Sequence, residues 1–410
     1  MPIQLQRLKK MFNQLAAFGD NQQGGLNRLT YSSDFQQAQK WLQQELEVAG
    51  AQVQTDTVGN LFGIYPGRRE ELLPVATGSH LDSVPNGGKF DGAIGIITAL
   101  ECLKSWHEEH YKPIRPLKLI AFAEEEGSRF GTVCLGSQFM TGHMPLNIFT
   151  CLHDNQGKTL HEYLSEMAYS SHTNISQNSI LSNYCFVEVH AEQGNILEKK
   201  DLSLGIVSSI VGIRHIDVCI LGKANHAGTT TMNRRQDALV AAAQLVTWVY
   251  HEVSSLSDQC VATVGHLQVW PNTENVIPGR VELTVEIRSP NKDTLDLFVQ
   301  RILQTCKTIE QEFQIQTNIT RNELIPPIPL NQTLQKQLVQ TANHLNYPFC
   351  FLPSWAGHDA MIFAQYIPTA MIFVPSKNGI SHSPEEFSDW RSIEHATHLL
   401  DKTLRTLSAQ

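Results

Sequence analysis

Apolar positions at Phe35, Ala38, Leu42 and Leu46 fall at helical spacing, and Gly50 follows as a stop. The next stretch, AQVQTDTVGNLFGIYPG, alternates like strands joined by turns. LLPVATGSH predicts a buried strand ending in polar residues, GAIGIITALECL a helix, and LKLIAFA another strand. Strand and helix alternate, so the sequence predicts an α/β sheet with helices on both faces. In such sheets ligands sit beyond the carboxyl ends of the strands. GSH and EEEG both fall at predicted strand ends.

From about residue 212 the texture changes. IRHIDVCILG, VATVGHLQVWP and RVELTVEIRSP read as alternating strands. RQDALVAAAQLVTWVYHEV and NKDTLDLFVQRILQTCKTIEQEF read as amphipathic helices. These predict a self-contained two-layer α+β unit. Near Pro326 longer helices and buried strands such as TAMIFVP return. Residues 213–325 are therefore expected to be a domain inserted into a discontinuous one formed by 1–212 and 326–410. Trp106, His107 and His110 lie at a predicted helix end and are expected at the surface.

A chain of 410 residues is too long for one ordinary core, which agrees with two domains. A 41% hydrophobic and 17% charged composition suits a globular protein and excludes a disordered one. The net charge of -9 implies no basic face, so nucleic acid and anionic membrane are not expected partners. The first residues, MPIQLQRLKKMFNQLAAFG, lack an apolar export core and read as an amphipathic helix. No run is long enough to span a membrane. Eight cysteines stand singly with no CxxC pair, so buried reduced thiols and a cytoplasmic location are expected.

Metal-ligand residue types gather in five Gly-flanked stretches that each follow an apolar run. GSHLDS holds His80 and Asp82, KFDGAIG holds Asp91, AEEEG holds Glu124 to Glu126, EVHAEQG holds His190 and Glu192, and GISHSP holds His382. One histidine at a strand end is usually structural, and five such stretches point to a metal site. Imidazole mixed with carboxylate, without cysteine, favours Zn, Mn, Ni or Co over an iron–sulfur or structural zinc site.

Taken in order, QGGLNRLTYS, VGN, GSHLDSVPNGGKFDG, AEEEGSRF, EQG, NHAGTT, PNTENVIPG, AGHDA and GISHSP resemble the hydantoinase/carbamoylase branch of the zinc aminoacylase and carboxypeptidase superfamily. The likeness runs essentially end to end. It implies a catalytic domain with a central mixed sheet flanked by helices, an inserted lid and dimerisation domain, and two divalent ions per subunit. His80 matches a ligand of one ion, and Asp82 the carboxylate that orients it. Asp91 matches the ligand shared by both ions. Glu126 matches a ligand of the other ion, and Glu125 the general base. His190 and His382 match the remaining ligands, one per ion. Glu124 has no counterpart role.

The resemblance also implies substrate contacts. His226 matches an oxyanion-stabilising histidine supplied in trans within a homodimer, although a histidine there is otherwise read as a helix entry. Asn275, Gln193 and Gly357 match substrate-binding positions. His358 and Asp359 are expected to support the loop of Gly357. Arg288 matches a clamp for the substrate carboxylate, where a bidentate guanidinium suits the geometry, and is otherwise read as a strand arginine in a salt bridge. The chain departs from the family at Ala191, Thr231 and Trp355; the last stands beside the substrate loop in place of glycine.

Together these imply an amidohydrolase for small ureido or carbamoyl carboxylates, with N-carbamoyl-L-amino acids favoured. GSQFMTG and SHSPEE resemble carbamoylases. GISH resembles allantoate amidohydrolase, the nearest alternative, with β-ureidopropionase and an N-acyl amino acid deacylase or dipeptidase behind it. A silent scaffold relative would lack a ligand or Glu125, and none is missing.

Overall fold

The structure, a computed structural model, describes residues 3–144, 147–167 and 179–410. Its strands run in chain order as β1 (Gln52–Thr55), β2 (Leu61–Tyr65), β3 (Val75–His80), β4 (Leu117–Phe122), β5 (Cys185–Ala191) and β6 (Leu204–Ile210). Next come β7 (Gly212–Leu221), β8 (Asn225–His226), β9 (Val261–Trp270), β10 (Val276–Ile277), β11 (Arg280–Ser289) and β12 (Gln316–Ile325). β13 (Ile328–Pro329), β14 (Phe349–Ser354) and β15 (Thr369–Val374) follow. The chain separates into two compact units, residues 1–208 with 329–410, and residues 209–328.

The first unit is built on a mixed sheet of order β1-β2-β4-β3-β5-β15-β6. β4, β3, β5 and β15 are mutually parallel neighbours, and the flanking pairs are antiparallel. β3, β4, β5 and β15 are buried along their whole lengths. Strands covered on both faces read as continuous apolar runs. β5, CFVEVHA, breaks that rule only at Glu188 and His190, which marks both for chemistry. Gly78 has φ 142°, and a Cβ there would lie 1.9 Å from the Ile120 carbonyl oxygen of β4, so the strand pair requires glycine.

Helix Ala93–Glu108 packs on β3, β4 and β5 and against helix Trp390–Ser408. It is therefore covered almost all round. This corrects the expectation for Trp106, which is fully buried, with its indole Nε1 donating to Asp401 Oδ1 at 2.6 Å. The eight cysteines are unpaired, and six are buried; Cys350 is half-buried and Cys151 exposed, against the expectation that all are covered.

In the second unit, β12-β7-β11-β9 form an antiparallel sheet. β11 alternates strictly, with Val281, Leu283, Val285 and Ile287 turned into the core. Helices Ala238–Leu256 and Lys292–Phe313 pack on one another and on the sheet, giving two layers. Asp237 and Asn291 cap their first turns through side-chain oxygens.

Candidate metal centre

Because β4, β3, β5 and β15 are parallel and adjacent, their carboxyl ends form one edge of the sheet. His80 closes β3, Glu124 to Glu126 follow β4 by way of Ala123, and His190 is the penultimate residue of β5. The segment after β15 carries His382, and Asp91 stands just before helix Ala93–Glu108. Residues far apart in the chain thus converge where the topology places ligands.

Asp91 is the hub. Its Oδ1 lies 3.1 Å from His190 Nε2 and 3.4 Å from His80 Nε2. Its Oδ2 lies 3.1 Å from His382 Nε2, which is itself 3.4 Å from Glu126 Oε2. Of three groups of potential ligands among the described residues, two share Asp91, His80–Asp91–His190 and Asp91–Glu126–His382; the third is Glu188–His190–His358. Glu125 joins none of them; its Oε2 is 3.9 Å from His80 Nε2 and its Oε1 accepts the Cys134 thiol at 3.6 Å.

The residues present fit divalent cations. His80 Nδ1 donates to the Asp82 carbonyl and His190 Nδ1 to the Ala191 carbonyl, each at 3.0 Å. Both rings therefore turn Nε2 inward, where the two nitrogens lie 3.5 Å apart. In neutral imidazoles these would be two facing lone pairs, an arrangement a cation relieves. Glu126 Oε1 is buried with no hydrogen-bond partner. Burial raises the Glu126 carboxyl to about 7, with repulsion from Asp91 adding to it. Burial also pushes Glu125 well above the usual carboxylate range, reinforced by Asp359, Glu126 and Asp82. Without a cation, protonated imidazoles must balance the acids: hydrogen bonding to Asp91 holds His382 up at about 9. An N/O donor set of this kind suits Zn, Mn, Co or Ni.

Several side chains make contacts that the sequence did not predict. It is the Asp82 main-chain carbonyl that receives the His80 Nδ1 proton; the carboxylate stands 3.8 Å away. That carboxylate instead accepts the amides of Glu125 and Glu126, both at 3.2 Å, and so fixes the turn that presents them. Glu124, left without a role by the sequence, has φ 54°. Its Oε1 accepts the amides of Arg129 and Phe130 at 2.8 and 2.9 Å, which folds the loop back under the site. Gln193, expected to meet substrate, donates from Nε2 to Asp91 Oδ2 at 2.9 Å.

Of the remaining expected residues, Gly357 lies exposed in the irregular stretch before helix Asp359–Phe363, where a Cβ would meet Met361 Cε at 3.9 Å. Beside it His358 Nε2 bonds Ser354 Oγ at 2.8 Å, and Asp359 accepts from Ser137 Oγ at 2.6 Å. In the second unit His226 is exposed and lies on β8, not at a helix entry, and pairs with Val276 of β10. Ala227 donates its amide to the Asn275 carbonyl at 2.9 Å, which brings those two segments together. Arg288, on β11, pairs with Glu286 at 2.8 Å.

The sequence reading missed Glu188, Arg28 and Glu386. Glu188 is buried two residues before His190 and accepts from Ser79 Oγ at 2.7 Å and from the Ala360 amide at 3.1 Å. Its signal was available: two charged residues at i and i+2 in a buried strand share one face. Arg28, 1% exposed, donates to the carbonyls of Leu81 and Leu15 at 2.6 and 2.9 Å, binding the N-terminal helix to the loop after His80.

The profile of peptidase family M20/M25/M40 matches residues 76–406, and the chain belongs to that family. It is 34% identical to the N-carbamoyl-L-amino-acid amidohydrolase of Paenarthrobacter aurescens over 98% of each chain. It is also 34% identical to the allantoate amidohydrolase of Bacillus subtilis, over 96% of this chain and 95% of the relative. The crystal structure of a hydantoinase/carbamoylase family amidase from Burkholderia multivorans superposes with a TM-score of 0.92 at 31% identity, covering 100% of this chain and 98% of the other. Within the family, these likenesses mark it as an amidohydrolase of the hydantoinase/carbamoylase branch, a hydrolase acting on C–N bonds. No helix among the described residues is long and apolar enough to cross a membrane.

Proposed function

We propose that the protein hydrolyses the carbamoyl C–N bond of N-carbamoyl-L-amino acids, giving amino acid, carbon dioxide and ammonia. The observation that carries this reading is the pair of ligand groups sharing Asp91, with Glu125 beside them and bound to neither. His80, Asp91 and His190 would hold one divalent ion, and Asp91, Glu126 and His382 the other. When bound, such ions supply Lewis-acid chemistry: they stabilise charge on a carbonyl oxygen and ease deprotonation of water.

The chain's own groups do the rest. Glu125 takes the proton of the attacking water and passes it to the leaving nitrogen. Its place beside both ligand groups, and in neither, suits a group that must both accept and return a proton. His226 accepts the Gly228 amide at Nδ1, 3.0 Å away, so its neutral ring carries the proton on Nε2. That N–H is a donor for the developing oxyanion. The histidine acts in trans from a homodimer partner. An exposed ten-residue edge strand, β9, offers unpaired backbone groups to a second chain, which supports association through this unit. Asn275, Gln193 and Gly357 line the substrate, and Arg288 binds its carboxylate. Unpaired cysteines suit a reducing, cytoplasmic setting.

Replacing Arg288 with alanine is expected to raise KM by about ten- to a hundredfold with a smaller effect on kcat, the mark of a lost charge-assisted contact formed in the ground state. Steady-state kinetics on N-carbamoyl-L-amino acids check this; an unchanged KM would remove Arg288 from the carboxylate-binding role.

Allantoate amidohydrolase activity is the second reading, favoured by the GISH sequence and by a relative of that name at equal identity. Ammonia release from N-carbamoyl-L-amino acids, allantoate, β-ureidopropionate and N-acetyl amino acids, each with added Mn²⁺, Zn²⁺ or Co²⁺, separates the readings. The highest kcat/KM is expected on N-carbamoyl-L-amino acids. Preference for allantoate overturns the substrate assignment, and turnover of none overturns the enzyme assignment.

A further inference from the structure

Glu386 lies four residues beyond His382 and is 3% exposed. Its Oε1 accepts two successive amides, from Phe90 at 2.8 Å and from Asp91 at 2.9 Å. Its Oε2 accepts the Ser381 hydroxyl at 2.8 Å, and that hydroxyl also lies 3.2 Å from Asp91 Oδ2. One carboxylate thus grips the backbone of the hub residue and, through Ser381, reaches both its side chain and the loop bearing His382. A serine hydroxyl has one proton for these two acceptors. A cation on Asp91 would leave that proton to Glu386 and tighten the link.

The surroundings are shaped for the contact. A Cβ at Gly88 would stand 2.4 Å from Glu386 Cβ, Cδ and Oε1, so the carboxylate fits only over a glycine. Phe387 meets Phe90 edge-on with ring centroids 5.5 Å apart, closing the same two loops with apolar contact. His382 needs such support: its side chain is 49% exposed and its φ is 55°, in the left-handed region that non-glycine residues rarely occupy. No ligand role falls to Glu386 itself, since its oxygens are taken by amides and a hydroxyl.

We propose that Glu386 is a positioning residue that sets the distance between Asp91 and His382, and thereby the cation affinity of the Asp91–Glu126–His382 group. The inference rests on reading that group as a cation site. Removing the carboxylate strips two buried amides of their acceptor and unties the His382 loop from Asp91. Supporting residues of this kind govern metal affinity by about 10- to 100-fold.

The test is calorimetric titration of the chelated full-length protein with Mn²⁺, for the wild type, Glu386→Ala and Glu386→Gln, with thermal melting of each metal-free protein alongside. In Glu386→Ala one of the two binding steps is expected to weaken by about 10- to 100-fold while the other holds. Glu386→Gln keeps an acceptor but loses its charge, so an intermediate weakening of the same step is expected. A lowered melting temperature with both binding steps unchanged would make Glu386 merely structural and overturn the proposal. Should Glu386→Ala not fold, Glu386→Gln decides: weakening of one step supports the proposal, and wild-type affinity at both steps overturns it. A wild type that binds no Mn²⁺ at all would instead overturn the cation reading of the site, a different result from either.

Discussion

Glu125→Gln is expected to lower kcat by about 10²–10⁴-fold, with metal content and KM close to wild type. The glutamine is nearly isosteric, so the contact from Cys134 and the packing at 8% exposure can persist. What it loses is the capacity to take a proton. Glu125 is set apart from the ligand groups, with Oε2 3.9 Å from His80 Nε2, and burial keeps its carboxyl well above the usual carboxylate range. Because the lost interaction is made with a moving proton, the effect belongs in kcat rather than in binding. Kinetics together with metal analysis on the same preparation check it. Full activity with metal bound would remove Glu125 from the proton-transfer role.

Asp91→Ala is expected to have a still larger effect, loss of both ions and a fall of at least about a thousandfold in kcat/KM. Asp91 faces three imidazoles at 3.1 to 3.4 Å, from His80, His190 and His382. Without it, each group of three ligand residues is reduced to two, His80 with His190 and Glu126 with His382. A pair of ligands does not hold a dication against chelation as three do. Elemental analysis of the purified variant measures the outcome. A variant that retains two ions would show that the groups do not depend on a shared carboxylate.

Residue type and order carried much of this site. His80, Glu126, His190 and His382 were legible because each follows an apolar run, and strand ends in parallel sheets are where polar residues meet. The pairing of these ligands, and Asp91 as their common member, came from resemblance; local patterns hold no distances between residues a hundred or more positions apart. The inserted two-layer unit was visible in the strict alternation of strands such as β11. Trp106 misled because a helix end was taken for the surface, whereas helix Trp390–Ser408 covers it from nearly three hundred residues downstream. Asp82 misled at atomic level: its backbone, not its carboxylate, orients His80. Glu124 and Glu386 were unreadable for another reason. Their partners are main-chain amides, which every sequence contains and none advertises.

The three adjacent glutamates thus divide by direction: Glu124 turns back to hold its own loop, Glu125 lies between His80 and the Cys134 thiol, and Glu126 faces His382. Such separation of like charges is stable only where the site supplies compensating cations or protons. Ammonia release from an N-carbamoyl-L-amino acid, followed as bound metal is stripped by chelation and restored, tests this most directly. Activity that falls to background as the ions leave, and returns as two ions per chain are replaced, is the predicted result. Ammonia release at the full rate from metal-free protein would contradict it.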